Sequence, residues 1–123
     1  MLELWCALRP ARIGRIVFAL QPVPDWFGRP LGAREAELAA ASEAHRPAAW
    51  RNVRGPLAAR AGRFREELLR RARARGLAVV DLNVEPRLLA VEWAFIDRYH
   101  LTDAAQRAVA EILADAVARE AAA

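Results

Sequence analysis

Two short runs of apolar residues predict the strands of this chain. The first, RIVFALQP, covers residues 15–22 and stops at Pro22; the second, LAVVDLN, covers residues 77–83 and turns polar at Asp81. A run that is apolar at nearly every position is typical of a strand covered on both faces, as in a parallel sheet. The pattern therefore predicts two buried, parallel strands.

Three other segments repeat apolar residues at helical spacing, and we predict helices there. They are residues 33–44, 60–75 and 103–119, of which the first is mostly alanine. The apolar faces of the second and third helices contain Phe64, Leu68, Leu69 and Ala72, and Val109, Ile112, Leu113, Ala116 and Val117, respectively. Gly76 stands where a left-handed cap ends the second helix. Thr102 is placed to cap the third helix, and Asp103 favours its first turn through the helix dipole.

The remaining segments connect these elements. We predict a helix end at residues 2–8, a loop at residues 24–32, a surface excursion that breaks the first helix at residues 45–56, and a short helix followed by an extended piece at residues 85–95. A helix, a glycine and then a buried strand form the second half of a βαβ unit. The chain is therefore predicted to be α/β, with residues 1–123 in a single domain.

Composition excludes more functional classes than it selects. The length of 123 residues suits one domain, and the 55% apolar fraction overstates the core because 29 of the residues are alanine. All 19 basic residues are arginine, so the net charge of +4 and the pI near 10.8 reflect a composition bias. We therefore do not predict a nucleic acid as the partner from charge alone.

Cysteine content and hydropathy narrow the classes further. The single Cys6 allows no intrachain disulfide and no cysteine-rich zinc cluster. No stretch reaches the roughly 20 continuous apolar residues that a membrane span needs. The start of the chain lacks the pattern of a signal peptide, so the sequence as written reads as cytoplasmic, with the compartment otherwise undetermined.

Asp97 and His100 carry the candidate chemistry. They lie three residues apart, just before the third predicted helix. In a helical turn this spacing brings the alpha carbons to about 5–6 Å, which lets the carboxylate reach an imidazole nitrogen. In acyl transfer, a histidine takes a proton from a nucleophile while a carboxylate orients its ring. A surface hydrogen bond at the start of a helix is the alternative interpretation of the same spacing.

The residues around this pair resemble a known family. FIDRYHLTDAAQRAVAEIL, residues 95–113, is similar to the final block of the SGNH (GDSL-type) hydrolases, in which Asp, two variable residues and His precede an amphipathic helix. IVFALQPVP and ARARGLAVVDLN also resemble pieces of that family, in the same order, so the resemblance covers residues 15–118. Ala105 departs from the pattern, because the family commonly has glycine there.

The resemblance implies a three-layer α/β/α, flavodoxin-like fold with a Ser–His–Asp triad that hydrolyses small-molecule or lipid esters. His100 would be the general base and Asp97 its orienting carboxylate, and this chemistry needs no metal or cofactor. The family's Gly-Asp-Ser and Gly-x-Asn-Asp motifs, which supply the nucleophile and part of the oxyanion hole, do not occur in this sequence. We therefore predict a partial parallel sheet that lacks its N-terminal strands, in the C-terminal portion of such a hydrolase, inactive alone.

Other side chains are poor candidates for the nucleophile. The only serine is Ser42, in a helix-like stretch without a glycine turn, where Ser42 and His45 share a face as polar surface residues. Cys6 lies between apolar neighbours, which is typical of an inert buried thiol. The nucleophile is therefore predicted to be absent from this chain.

Two other hypotheses stay open. Residues 60–75 carry seven arginines against Glu66 and Glu67, so the chain is alternatively an arginine-rich module for nucleic acid or protein, although no base-reading motif accompanies them. A degenerate, non-catalytic member of the family is the second alternative. Under the hydrolase hypothesis the incomplete sheet exposes pairing edges, and we expect poor folding of the isolated chain or association through that sheet edge.

Overall fold

Both apolar runs form strands, and the strands pair in parallel. The computed structural model describes residues 15–122, so Cys6 and the predicted helix end at residues 2–8 lie outside the described residues. The elements are, in order, β1 (Val17–Leu20), α1 (Ala33–Ala44), α2 (Ala48–Ala74), β2 (Ala78–Asp81), α3 (Pro86–Leu89) and α4 (Asp103–Ala122). In the sheet, Val17 pairs with Ala78 and Leu20 with Asp81. The described chain is therefore mixed α/β, with a parallel sheet of two strands.

Helices α2 and α4 lie on opposite faces of this sheet. Neighbouring residues of a strand point to opposite faces. Asp81 of β2 forms an ion pair with Arg65 of α2, whereas the adjacent Val80 belongs to a buried cluster that includes Ile112 and Ala116 of α4. The two helices therefore cover the two sides of β2, and the main buried cluster lies on the α4 side.

The helix bounds confirm three predictions and correct a fourth. Helix α1 covers the predicted residues 33–44, and α4 begins at the predicted Asp103. Gly76 follows α2 with a φ of 66°, the left-handed conformation predicted for the cap. The predicted break after α1 is present at residues 45–47, but the surface excursion predicted to continue to residue 56 is wrong, because α2 begins at Ala48. Alanine and arginine favour a helix there, and Pro47 stands just before its first residue, where proline removes no helical hydrogen bond.

Burial is less complete than the apolar patterns predict. In β1 only Leu20 is buried and Ala19 is exposed, and within the described residues β1 has β2 as its one neighbouring strand. Phe64, predicted on the buried face of its helix, is exposed. Its ring lies 6.3 Å, centroid to centroid, from the ring of Trp26 in the loop after β1, and most of it stays exposed. Val117 is likewise exposed, at the flank of α4.

Candidate active site

Asp97 and His100 lie in a tight antiparallel turn. Phe95 and Leu101 form an isolated antiparallel bridge, and the backbone N–H of Ile96 donates a hydrogen bond to the His100 carbonyl at 2.9 Å. The turn follows α3, which is the short helix predicted within residues 85–95, whereas the extended piece predicted after it is limited to the bridge residue Phe95. We call residues 95–101 the histidine turn.

The carboxylate of Asp97 organises the histidine turn. Its Oδ2 lies 2.7 Å from Nδ1 of His100. Its Oδ1 accepts hydrogen bonds from the backbone N–H groups of Tyr99 and His100, at 2.7 and 2.8 Å. The spacing of three residues therefore produces the side-chain contact that it predicted. This contact by itself fits both interpretations of the spacing, the oriented base and the polar turn.

Electrostatics determine which nitrogen of the ring is basic. Burial raises the pKa of Asp97, but hydrogen bonds from the His100 ring and from the Tyr99 and His100 amides outweigh it, so the pKa lies below its usual value. An ionised carboxylate only accepts hydrogen bonds, so in the neutral ring Nδ1 carries the proton and Nε2 is basic. The His100 side chain is 74% exposed and that of Asp97 32% exposed. In this tautomer the unprotonated Nε2 therefore lies on an accessible ring.

The two variable residues of the turn attach it to the rest of the fold. Arg98 forms ion pairs with Glu43 of α1 at 2.5 Å and with Asp25 at 3.3 Å. The carbonyl of Tyr99 accepts a hydrogen bond from Nε2 of Gln21 at 3.2 Å. The turn is therefore held against the last turn of α1 and against the residue that follows β1.

Asn83 joins the ends of the two strands next to the turn. It is fully buried, and its Nδ2 donates to the Gln21 carbonyl and to Oδ1 of Asp81, both at 3.0 Å. Its Oδ1 accepts the N–H of Val23 at 2.9 Å. The carboxyl ends of β1 and β2 therefore lie together, and the Gln21 side chain links them to the histidine turn. This is the edge of the sheet where α/β enzymes carry their sites.

Glu35 and Arg29 anchor the start of the histidine turn. Oε1 of Glu35 accepts the backbone N–H groups of Ala94 and Phe95 at 2.6 and 3.1 Å, and Oε2 accepts that of Gly32 at 2.7 Å. Arg29 donates two further hydrogen bonds, one to each oxygen, at 2.7 and 2.9 Å. We call these two side chains the Glu35 cluster. It connects the first turn of α1 directly to the backbone of the histidine turn.

The Glu35 carboxylate is ionised in spite of its burial. Its side chain is 1% exposed. Burial raises the pKa, but the hydrogen bonds from Arg29 and from the Gly32, Ala94 and Phe95 amides outweigh this effect and lower the pKa from 4.5 to about 2.

Sequence reasoning missed both Asn83 and Glu35. Asn83 follows a predicted strand, and Glu35 occupies the third position of a predicted helix that follows Gly32, where a glutamate often bonds back to the backbone. These two positions in the sequence were the local signals from which Asn83 and Glu35 could have been predicted. The bonds to residues some 60 positions away in the chain carry no local signal.

Thr102 caps α4 as predicted. Its Oγ1 accepts the N–H of Ala105 at 3.3 Å and donates to the Trp93 carbonyl at 2.7 Å. Ala105, which departs from the family pattern, is fully buried in the main cluster. The added methyl group therefore packs into the core next to the histidine turn.

Ser42 and His45 do not join the histidine turn. Ser42 lies within α1, and His45 ends that helix, with its Nδ1 2.8 Å from the Ala41 carbonyl. Within residues 15–122, neither side chain hydrogen-bonds to the turn. The structure therefore places Ser42 on a helix and away from any sharp turn that would expose a nucleophile.

Several arginines of α2 are engaged within the protein. Arg65 pairs with Asp81, and Arg70 and Arg71 both pair with Glu67, at 2.7 and 2.6 Å. These ion pairs reduce the charge that α2 offers to a phosphate backbone. They weigh against the arginine-rich binding module.

Comparisons with known proteins add no assignment. No protein-family model, curated protein or solved structure matches this chain. In the described part of the chain, no group of three or more His, Cys, Asp or Glu side chains is placed to hold a metal ion. None of the helices described between residues 15 and 122 has the length and apolar character needed to cross a membrane.

Proposed function

We propose that this chain is the C-terminal portion of an SGNH-type serine hydrolase domain that acts on carboxylic esters. The observation that carries the proposal is the contact between Asp97 Oδ2 and His100 Nδ1, at 2.7 Å, in a turn held at the carboxyl edge of a parallel sheet. Helices on both faces of that sheet fit a three-layer fold whose further strands lie outside this sequence.

In this mechanism His100 is the general base. Its Nε2 takes the proton from a serine hydroxyl as the oxygen attacks the ester carbonyl, and Asp97 stabilises the imidazolium that forms. The imidazolium then gives that proton to the leaving alcohol as the acyl-enzyme forms. Water, deprotonated by the same nitrogen, hydrolyses the acyl-enzyme and regenerates the serine. All of these steps are proton transfers and acyl transfers, which this pair can serve directly.

The nucleophile is the part that this sequence does not contain. Its two aliphatic hydroxyl side chains are those of Ser42 and Thr102, and Thr102 is occupied as a helix cap. We therefore infer that the serine comes from polypeptide outside this sequence, which adds strands beside β1.

The test uses fluorophosphonate, which labels activated serines. The chain alone should not label, whereas a chain extended through in-frame upstream DNA should contain a Gly-Asp-Ser turn and label on that serine. In the extended chain, His100→Ala should slow labelling and ester hydrolysis by about 10³-fold or more. His45→Ala is the matched control and should leave both rates unchanged, because within residues 15–122 the His45 ring bonds only to the Ala41 carbonyl of its own helix.

Three results would contradict the proposal. The first is labelling of the chain alone that Ser42→Ala removes. The second is an upstream region that encodes no Gly-Asp-Ser turn. The third is equal loss of activity in the His45 and His100 variants, which would show that the histidine turn has no special role.

A further inference from the structure

A groove of about 540 Å³ runs beside the histidine turn. It lies between the segment that follows α3 and the first turn of α4. The residues that line it include four apolar and two acidic side chains: Val91, Trp93, Ile96, Ala104, Glu92 and Asp103.

Ile96 brings this groove next to the candidate base. Phe95 and Leu101 are bridged across the turn, and the Ile96 N–H bonds to the His100 carbonyl at 2.9 Å, so Ile96 and His100 are the next opposed pair. Opposed residues of an antiparallel pair project from the same face. Ile96 is 45% exposed, as expected for a side chain on the outer face that it shares with His100.

Trp93 is the rigid wall of the groove. Its Nε1 donates a hydrogen bond to the Phe95 carbonyl at 2.8 Å, and Arg34 stacks on its ring with Cζ 4.0 Å from the centroid. Arg34 lines a neighbouring groove on the other side of Trp93. The Trp93 ring is therefore held in place without a ligand, and an alkyl group can bind without the cost of ordering that ring.

Charge decides what the groove accepts. Glu92 and Asp103 bring two carboxylates to a lining that otherwise consists of Thr102 and four apolar side chains. An anionic ligand would be repelled there, whereas an uncharged alkyl group can pack on the apolar side chains and the Trp93 ring.

We propose that this groove binds the alkyl part of an uncharged ester beside His100. The assignment of the ester rests on the proposed function, whereas binding in the groove can be measured without turnover. The same charges would favour departure of the carboxylate product after hydrolysis, because the product is an anion and the substrate is not.

The test is methyl NMR of the chain labelled at its four isoleucines, Ile13, Ile16, Ile96 and Ile112. Methyl hexanoate is expected to shift the Ile96 methyl signal in a saturable way and to leave the signal of the buried Ile112 in place. Hexanoate at the same concentration should give little shift. In a Glu92→Gln, Asp103→Asn variant, hexanoate should bind about as well as the ester.

A matched pair of surface substitutions locates the site. Ile96→Asn should weaken binding of methyl hexanoate about tenfold, since burial of one aliphatic side chain contributes at least that factor. Val117 is the matched control, because it is a similarly exposed aliphatic residue, at 56%. Val117→Asn should leave binding unchanged, because Val117 does not line the groove. Unchanged Ile112 shifts in both variants verify that the fold is intact.

Three outcomes overturn the proposal: no shift of Ile96, equal shifts with the ester and with hexanoate, or equal effects of the two asparagine variants. These results are independent of fluorophosphonate labelling. If the groove binds the ester but the extended chain never labels with fluorophosphonate, the hydrolase proposal is contradicted and the binding site stands. If the extended chain labels but the Ile96 signal does not shift, the binding site is contradicted and the hydrolase proposal stands.

Discussion

The Glu35 cluster and the histidine turn share one hydrogen-bond arrangement but differ in burial and in the side chain that the carboxylate binds. In each, a carboxylate accepts at least two backbone N–H groups and also bonds a nitrogen-bearing side chain, Arg29 or His100. Glu35 is 1% exposed and holds a guanidinium that is always charged. Asp97 is partly exposed and holds a ring that can take and release a proton.

The difference separates a buried carboxylate that binds an arginine from a partly exposed one that binds an imidazole. Glu35 has both oxygens committed to backbone amides and to the Arg29 guanidinium, so it holds the chain in place. Asp97 orients a ring whose second nitrogen stays accessible. The two are also connected, because Glu35 binds the N–H groups of Ala94 and Phe95, where the histidine turn begins. We therefore expect the free energy of unfolding to depend mainly on Glu35, and the tautomer of the His100 ring to depend on Asp97.

The largest expected effect is that of Glu35→Gln. The amide nitrogen would face backbone N–H donors, and Arg29 would lose its charge partner, so we expect a loss of about 3 kcal/mol or more in unfolding free energy. Urea unfolding at one fixed protein concentration measures it, since association would make the midpoint depend on concentration. Glu37→Gln, an exposed position on the same helix, should cost less than about 0.5 kcal/mol. Equal losses would show that the Glu35 cluster does not anchor the fold.

Acid should remove the same contribution. Because the pKa of Glu35 falls from 4.5 unfolded to about 2 folded, its stabilisation is complete above pH 4.5 and is lost as the pH falls towards 2. The expected loss is about 3 kcal/mol over that window. Glu35→Gln should lose less over the same window, so the two stabilities should converge in acid. Parallel pH curves would contradict this assignment.

Arg98→Met should have a smaller effect on stability. It keeps the aliphatic stem but removes the ion pairs with Glu43 and Asp25 that hold the histidine turn. We expect a loss of about 1.5 kcal/mol by urea unfolding. Hydrogen exchange of the Ile96 amide, which bonds across the turn, should also become faster. Arg107→Met, at an exposed position of α4, is the control and should change neither.

Local sequence patterns predicted where the helices and strands lie better than they predicted which side chains are buried. The apolar runs located both strands, and Gly76 and Thr102 located two helix ends, because these signals act within a few residues. The segment at residues 45–56 was predicted wrongly because its glycine and prolines indicate a loop, whereas the helix-forming residues around them extend α2 through most of it. The predicted burial of Phe64 was wrong because helical periodicity does not tell how far other elements cover the helix.

The candidate site divides in the same way. Asp97 and His100 were predictable, since three residues of spacing suffice to bring them together. Glu35 and Asn83 were not, because their partners lie about 60 residues away and only the fold brings them near. The position of Glu35 in the first turn of α1 indicated its bond to Gly32 but not its burial or its bonds to Ala94 and Phe95.

The smallest effect on stability, and the sharpest on chemistry, is expected from Asp97→Asn. The asparagine oxygen can still accept the Tyr99 and His100 amides, so the turn should keep its shape and lose less than about 1 kcal/mol. Its amide nitrogen would then donate to Nδ1 of His100, which forces the proton of the neutral ring onto Nε2. Nitrogen NMR of the imidazole, in mildly alkaline solution, should show this change of tautomer.

His45 is the control inside the same molecule. Its Nδ1 lies 2.8 Å from the Ala41 carbonyl, which can only accept, so its ring should keep the Nδ1–H tautomer in both proteins. A His100 ring that has no preferred tautomer in the unsubstituted chain would mean that Asp97 only shapes the turn. In that case Asp97 would be a second structural carboxylate like Glu35, and the proposed base would lose its orienting group.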